Sequence, residues 1–90
     1  LKTTQDIESK ALKVSHKQTL TQSIKALDSV PVQDRDFTSI TMAIDKSKLA
    51  EAKEKIKKFR RELCEFLEDG NKEEVYNLNI QLLPTGIGEN

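Results

Sequence analysis

The side chains that could carry out chemistry in this 90-residue sequence are few and far apart. His16 is the only histidine and Cys64 the only cysteine. A zinc site needs about four such ligands at short local spacings, so the sequence predicts no metal site. His16 lies between leucines at a helical spacing, which favours a partly buried packing role over a pH sensor. Cys64 lies beside a second apolar stripe, where a small inert cysteine is the usual outcome.

Phosphate-binding and catalytic patterns are missing from the sequence. It contains neither GxGxxG nor GxxxxGK[ST], and "TGIG" near the end is followed by only two residues. The basic run "KEKIKKFRRE" could face phosphate, but Glu51 and Glu54 each precede a lysine by four residues. Such pairs are typical of a solvated helix face. No set of ionisable groups converges on a cleft, so we predict no enzyme, no catalytic residue and no cofactor.

The segment "EEVYNLNIQLLPT" (73–85) alternates apolar residues with the amides Asn77, Asn79 and Gln81. This alternation predicts a strand with one wet face. In a two-stranded sheet the amides would lie on the same side as Ser39 and Thr41. These five residues form the candidate interface. Three interpretations stay open: a solvated sheet face, a docking face, or a small-molecule site.

Two helices and a further strand are predicted along the rest of the chain. The first helix runs from Ile7 to Ser29, before Pro31, because a residue that precedes proline avoids the helical region. The second helix covers 47–69, with Ser47 as its cap and Gly70 as its terminator. Between them, "FTSITMAID" (37–45) is rich in β-branched residues and predicts a strand. Residues spaced three or four apart form an apolar stripe on each helix: Leu12, His16, Leu20, Ile24 and Leu27 on the first, and Leu49, Ala52, Ile56, Phe59, Leu63 and Phe66 on the second.

The predicted fold class is therefore α+β, in the order helix, strand, helix, strand. The strands and the second helix would form a βαβ unit, with a two-stranded sheet packed on the long helix. Two strands are too few for a stable sheet, so a second copy of the chain would complete it in a homodimer. The residues that we expect to be mostly buried are Ile40, Ile44, Ile56, Phe59, Leu63, Leu78, Ile80 and Leu82.

Composition restricts the classes of function. The 15 basic and 15 acidic side chains cancel, so the chain has no bulk attraction for nucleic acid or anionic membrane. No apolar run approaches the roughly 20 residues of a membrane span. With a single cysteine and no signal-peptide pattern, we expect a cytoplasmic protein.

The expected organisation is a linker or wing remnant (1–8), one domain (9–84) and a flexible tail (85–90). The initial Leu1 suggests a fragment or a processed product.

Four segments carry a family resemblance: "SKALKVSHKQTL" (9–20), "RDFTSITMAID" (35–45), "FRRELCEFLED" (59–69) and "VYNLNIQLLP" (75–84). Together they resemble the C-terminal domain of unknown function of an uncharacterised bacterial family that looks like winged-helix transcriptional regulators. Family members often have an aromatic residue where this sequence has Leu83. The resemblance implies no catalytic residues. It also implies that a DNA-reading helix lies in a missing N-terminal domain.

We therefore expect a non-catalytic regulatory and dimerisation domain of a bacterial transcriptional regulator. It would form a homodimer, would reach DNA only through the missing domain and would not bind a membrane. The alternative is a protein–protein interaction module unrelated to transcription.

Overall fold

The computed structural model describes residues 4–86, and it describes side chains from Ile7 onward. Its elements are helix α1 (Thr4–Ser29), a 3₁₀ turn (Val32–Asp34), a second 3₁₀ turn (Lys46–Lys48) and helix α2 (Leu49–Glu68). The chain divides into two units, Leu1–Ile40 and Thr41–Asn90. The predicted linker (1–8) and tail (85–90) lie partly outside the described residues, although 4–8 belong to α1. The single domain over 9–84 stays a prediction.

Helix α1 confirms the predicted first helix and ends, as expected, before Pro31. Several of its hydroxyl groups donate back to carbonyl oxygens of the preceding turn. Thr21 Oγ1 lies 2.9 Å from the carbonyl oxygen of Lys17, and Ser29 Oγ lies 3.0 Å from that of Lys25. These bonds satisfy the hydroxyls within the helix, so α1 does not need neighbouring elements for its polar groups.

Arg35 closes the C-terminal end of α1. Its Nε donates to the carbonyl oxygen of Val30 at 2.9 Å, and its Nη2 reaches that of Leu27 at 3.5 Å. The guanidinium also lies 5.4 Å from the ring centroid of Phe37. The last carbonyls of a helix lack partners within it, and a cation there also suits the negative end of the helix dipole. The groups that Arg35 binds are thus backbone carbonyls at this end of the helix.

Helix α2 confirms the predicted second helix, but the residue whose side chain caps its start is not the predicted Ser47. Asp45, rather than Ser47, accepts the capping bond, from the backbone N–H of Ser47 at 3.0 Å. The 3₁₀ turn that follows leads directly into α2. At the other end, Gly70 has a φ of 115°, a value that side chains with a Cβ rarely adopt. Gly70 thus ends α2 as predicted, and the chain turns away there.

The predicted α+β fold class is wrong for the described residues. Neither 37–45 nor 73–85 forms a strand, so residues 4–86 contain no sheet and no βαβ unit. Alternating side chains show only which residues would share a face if the backbone were extended. A strand also needs a neighbouring backbone about 4.8 Å away to bond its N–H and C=O groups. That neighbour is set by tertiary structure and not by alternation.

The predicted core is also wrong, because no described side chain is fully buried. Phe59 is 55% exposed and Ile40 is 78% exposed. Ile56 and Leu63 are half-buried, while Ile44, Leu78, Ile80 and Leu82 are exposed. On α1 the apolar stripe is exposed, and the half-buried side chains are instead Thr19, Ser23 and Ala26. Within each unit, the described apolar side chains are therefore covered only in part.

The positive φ of Gly70 generates a test of how α2 ends. We expect Gly70→Ala to destabilise the end of α2 by about 1–2 kcal/mol, through backbone strain alone, because an added Cβ would meet no atom within 4 Å. Circular dichroism during urea titration measures this cost as a lower midpoint. Gly86→Ala is the matched control, since its added Cβ also meets nothing and no positive φ is involved. Equal midpoints for the two variants would contradict the strain argument.

Candidate interaction surface

Helix α2, in the unit Thr41–Asn90, has an apolar stripe along its length. Its residues follow a spacing of three and four, which keeps them on one side of a helix. The stripe consists of Leu49, Ala52, Ile56, Phe59, Leu63 and Phe66. Its coverage changes along the helix: Leu49 and Ala52 are half-buried at the N-terminal end, whereas Phe66 is 74% exposed at the C-terminal end. The stripe thus offers an open aromatic ring at one end only.

An apolar pocket of about 260 Å³ lies at the N-terminal end of this stripe. Leu49 and Ala52 of α2 form one wall, and side chains from both flanking segments of the same unit form the rest. The complete lining is Met42, Ile44, Asp45, Lys48, Leu49, Ala52 and Leu82. The pocket therefore offers an apolar interior with one acidic and one basic group among its lining residues.

The carboxylate of Asp45 is held in place by the turn that precedes α2. Ser47 donates to it twice, from its Oγ at 2.6 Å and from its backbone N–H at 3.0 Å. The side-chain bond and then the backbone bond hold the pKa of Asp45 below its ordinary value. Asp45 is therefore ionised at neutral pH, and its carboxylate is occupied by the hydrogen bonds of the turn. The other charged side chain in the pocket lining is that of Lys48.

Charged side chains flank the stripe. Lys58 Nζ lies 3.9 Å from Glu62 Oε1, one turn further along α2, and both side chains are well exposed. The described helix shows this ion pair rather than the predicted Glu51–Lys55 and Glu54–Lys58 pairs. Such an exposed pair adds little to stability.

The five predicted interface residues are not brought together by a sheet, because none forms in the described residues 4–86. Ser39, Thr41, Asn77, Asn79 and Gln81 are all exposed. Ser39 belongs to one unit of the chain and the other four to the second. Their use as an interface stays a prediction, although its structural premise, a shared sheet face, is wrong.

His16 and Cys64, the two residues considered for metal binding or catalysis, are both exposed. The partial burial that we expected for His16 is therefore wrong. The Cys64 thiol contacts Glu68 Oε1 at 3.2 Å on the surface of α2. The carboxylate of Glu68 raises the pKa of Cys64, by hydrogen bonding to the thiol and by charge repulsion of the thiolate. A higher pKa leaves less thiolate at neutral pH, so the acidic neighbour Glu68 is the main reason why this exposed cysteine is a weak nucleophile.

Metal-binding clusters and membrane-spanning helices are absent from the described residues. Within residues 4–86, no three or more His, Cys, Asp and Glu side chains are grouped so that they could hold a metal ion. Neither of the described helices combines the length and apolarity that crossing a bilayer requires.

The pocket is the feature that sequence reasoning missed. Ile44 and Leu82 were expected in the core of a sheet, and Met42 lies in the same predicted strand as Ile44. What they form is a concave wall against the first turn of α2. The alternation of Met42 with Ile44 signalled a shared side, and the shape of that side came only from the structure.

The turn at Asp45 generates a pH-dependent prediction. Because its hydrogen bonds lower the pKa of Asp45, they stabilise the turn at every pH above the ordinary value of about 4. This stabilisation is lost as the pH falls through the lower pKa of the folded chain. We expect Ser47→Ala to raise the pKa of Asp45 toward its ordinary value, as measured by NMR titration of the carboxyl carbon. Ser39→Ala is the control and should leave this titration unchanged. An unshifted Asp45 in Ser47→Ala would contradict the assigned bond.

Comparison with known proteins places the chain in a family. A family model described as "Domain of unknown function (DUF4423)" matches residues 1–85. No curated protein matches the chain, and no solved structure matches it. The predicted resemblance to a domain of unknown function is thus confirmed at that level, and the association with winged-helix regulators stays a prediction. Because the match covers nearly the whole chain, the chain belongs to the DUF4423 family.

Proposed function

We propose that this chain is a regulatory and dimerisation module of a bacterial transcriptional regulator, that it is not catalytic, and that it acts in the cytoplasm. DNA would be bound by a separate domain outside this chain, and the module would hold two copies together. The homodimer and the link to transcription both come from the sequence analysis and its resemblance.

The exposure of apolar side chains is the observation that carries the dimerisation part of this proposal. No described side chain is fully buried, and twenty large apolar side chains of residues 7–86 are exposed. Burial of such surface is the dominant favourable term in both folding and association. A domain of this size is only marginally stable by itself, so a second copy that covers apolar surface would stabilise it.

The charge balance supports an indirect role in DNA binding. Equal numbers of acidic and basic side chains leave no net attraction for a polyanion. The lysines of α2 are interspersed with glutamates, as the Lys58–Glu62 pair illustrates. A module of this kind would set the spacing of two DNA-binding units without contacting DNA itself.

Sedimentation equilibrium of the 90-residue chain tests the dimerisation directly. We expect a monomer–dimer equilibrium whose dimer fraction rises between about 1 and 100 μM, together with unfolding midpoints in urea that rise with protein concentration. A monomer at every concentration would contradict the proposal.

Fluorescence anisotropy with a labelled DNA duplex tests the transcriptional part. The chain alone should bind DNA no more tightly than about 10⁻⁴ M at 150 mM salt, the weak end of non-specific binding. Tight, steeply salt-dependent binding would overturn the indirect role. Capture from cells of the natural protein that contains this chain, with protein partners but no enriched DNA, would favour the interaction module unrelated to transcription.

A further inference from the structure

Helix α2 has a charge polarity opposite to the one that would stabilise it alone. From Lys46 to Lys58 the sequence has six lysines and two glutamates, and from Phe59 to Asp69 it has two arginines and four acidic residues. The last turn of α2 contains no basic residue. The dipole of a helix favours acids at its N-terminus and bases at its C-terminus. The observed order is therefore unfavourable within one helix and favourable between two antiparallel helices.

The apolar stripe also differs in shape between the basic and the acidic end of α2. The pocket beside Leu49 lies at the N-terminal end of α2, and the ring of Phe66, 74% exposed, lies at the other end. Seventeen residues separate the two positions, which is about 26 Å along a helix. Each copy of the chain thus has an apolar pocket at the basic end of the stripe and an aromatic side chain at the acidic end.

From these two polarities we infer that α2 is an interaction surface for the α2 helix of a second copy, in antiparallel orientation. Phe66 of each copy enters the pocket at Leu49 of the other. The same register places Leu63 opposite Ala52 and Phe59 opposite Ile56, in the manner of a two-stranded coiled coil. This inference rests on the proposed dimerisation and specifies its surface and orientation.

The residues beside the stripe select this orientation. On one flank, antiparallel pairing places Lys55 near Glu62 of the second copy and Lys48, at the pocket, near Asp69 of the second copy. Two-fold symmetry repeats each contact, so this flank has four pairs of opposite charge. The other flank brings Lys53 near Arg60 of the second copy, which gives two like-charge pairs. A parallel arrangement would instead place Lys55 near Arg60 and Lys48 near Lys53, so every charged flank would be repulsive.

Charge reversal tests the orientation, again by sedimentation equilibrium. Lys55→Glu should raise the dimer dissociation constant about tenfold, because two attractive pairs become repulsive. The double variant Lys55→Glu, Glu62→Lys should restore it to within about threefold, since the pairs are re-formed with exchanged signs. Arg61→Glu, on the opposite side of α2 from the stripe, is the control for the change in net charge and should leave the dissociation constant nearly unchanged. Circular dichroism confirms that each variant retains its helices.

Removal of the ring tests the pocket. Phe66→Ala should raise the dissociation constant at least tenfold, whereas Val75→Ala, which removes a 98% exposed side chain outside α2, should not. Tighter dimerisation of Lys55→Glu would show a parallel pairing and overturn the inference. A wild-type dimer indifferent to both Lys55→Glu and Phe66→Ala would overturn this surface and leave the proposed dimerisation standing. A wild-type chain that never dimerises would overturn both.

Discussion

The main physical constraint on this structure is the lack of a buried core, because none of its described side chains is fully buried. Apolar burial ordinarily provides the free energy that offsets the conformational entropy of an ordered chain. A helix in a protein, such as α2, gains most of its stability from the packing of its apolar face. The described residues thus combine well-formed helices with apolar faces that the unit containing each helix covers only in part. This incomplete coverage is the physical basis of the proposed dimerisation.

Local interactions determine where the helices begin and end. Arg35 binds the last carbonyls of α1, Asp45 binds the turn before α2, and Gly70 supplies the backbone conformation that ends α2. Each contact joins residues that are close in sequence, so each can form without a core. These contacts explain how the elements can keep sharp boundaries although their apolar faces are exposed.

The surface of α2 brings shape and charge together along one direction. Its pocket and its basic residues lie toward one end, and its exposed Phe66 and most of its acidic residues lie toward the other. On a helix face that only contacts solvent, shape and charge would not be expected to change together from one end of the helix to the other. Cys64 fits the same description, because the acid that raises its pKa, Glu68, belongs to the acidic end. Shape and charge together make this the surface that the proposed dimer would use.

The sequence by itself determined both helices, because helical spacing, Pro31 and Gly70 act over a few residues and need no distant partner. It also made the chain's family recognisable as a domain of unknown function. Tertiary structure alone decided the rest. The alternation in 37–45 and 73–85 predicted strands, but a strand exists only where a second backbone lies alongside it. The same alternating residues, Met42, Ile44 and Leu82, instead line a pocket against α2, because the position of a segment depends on contacts between residues far apart in sequence.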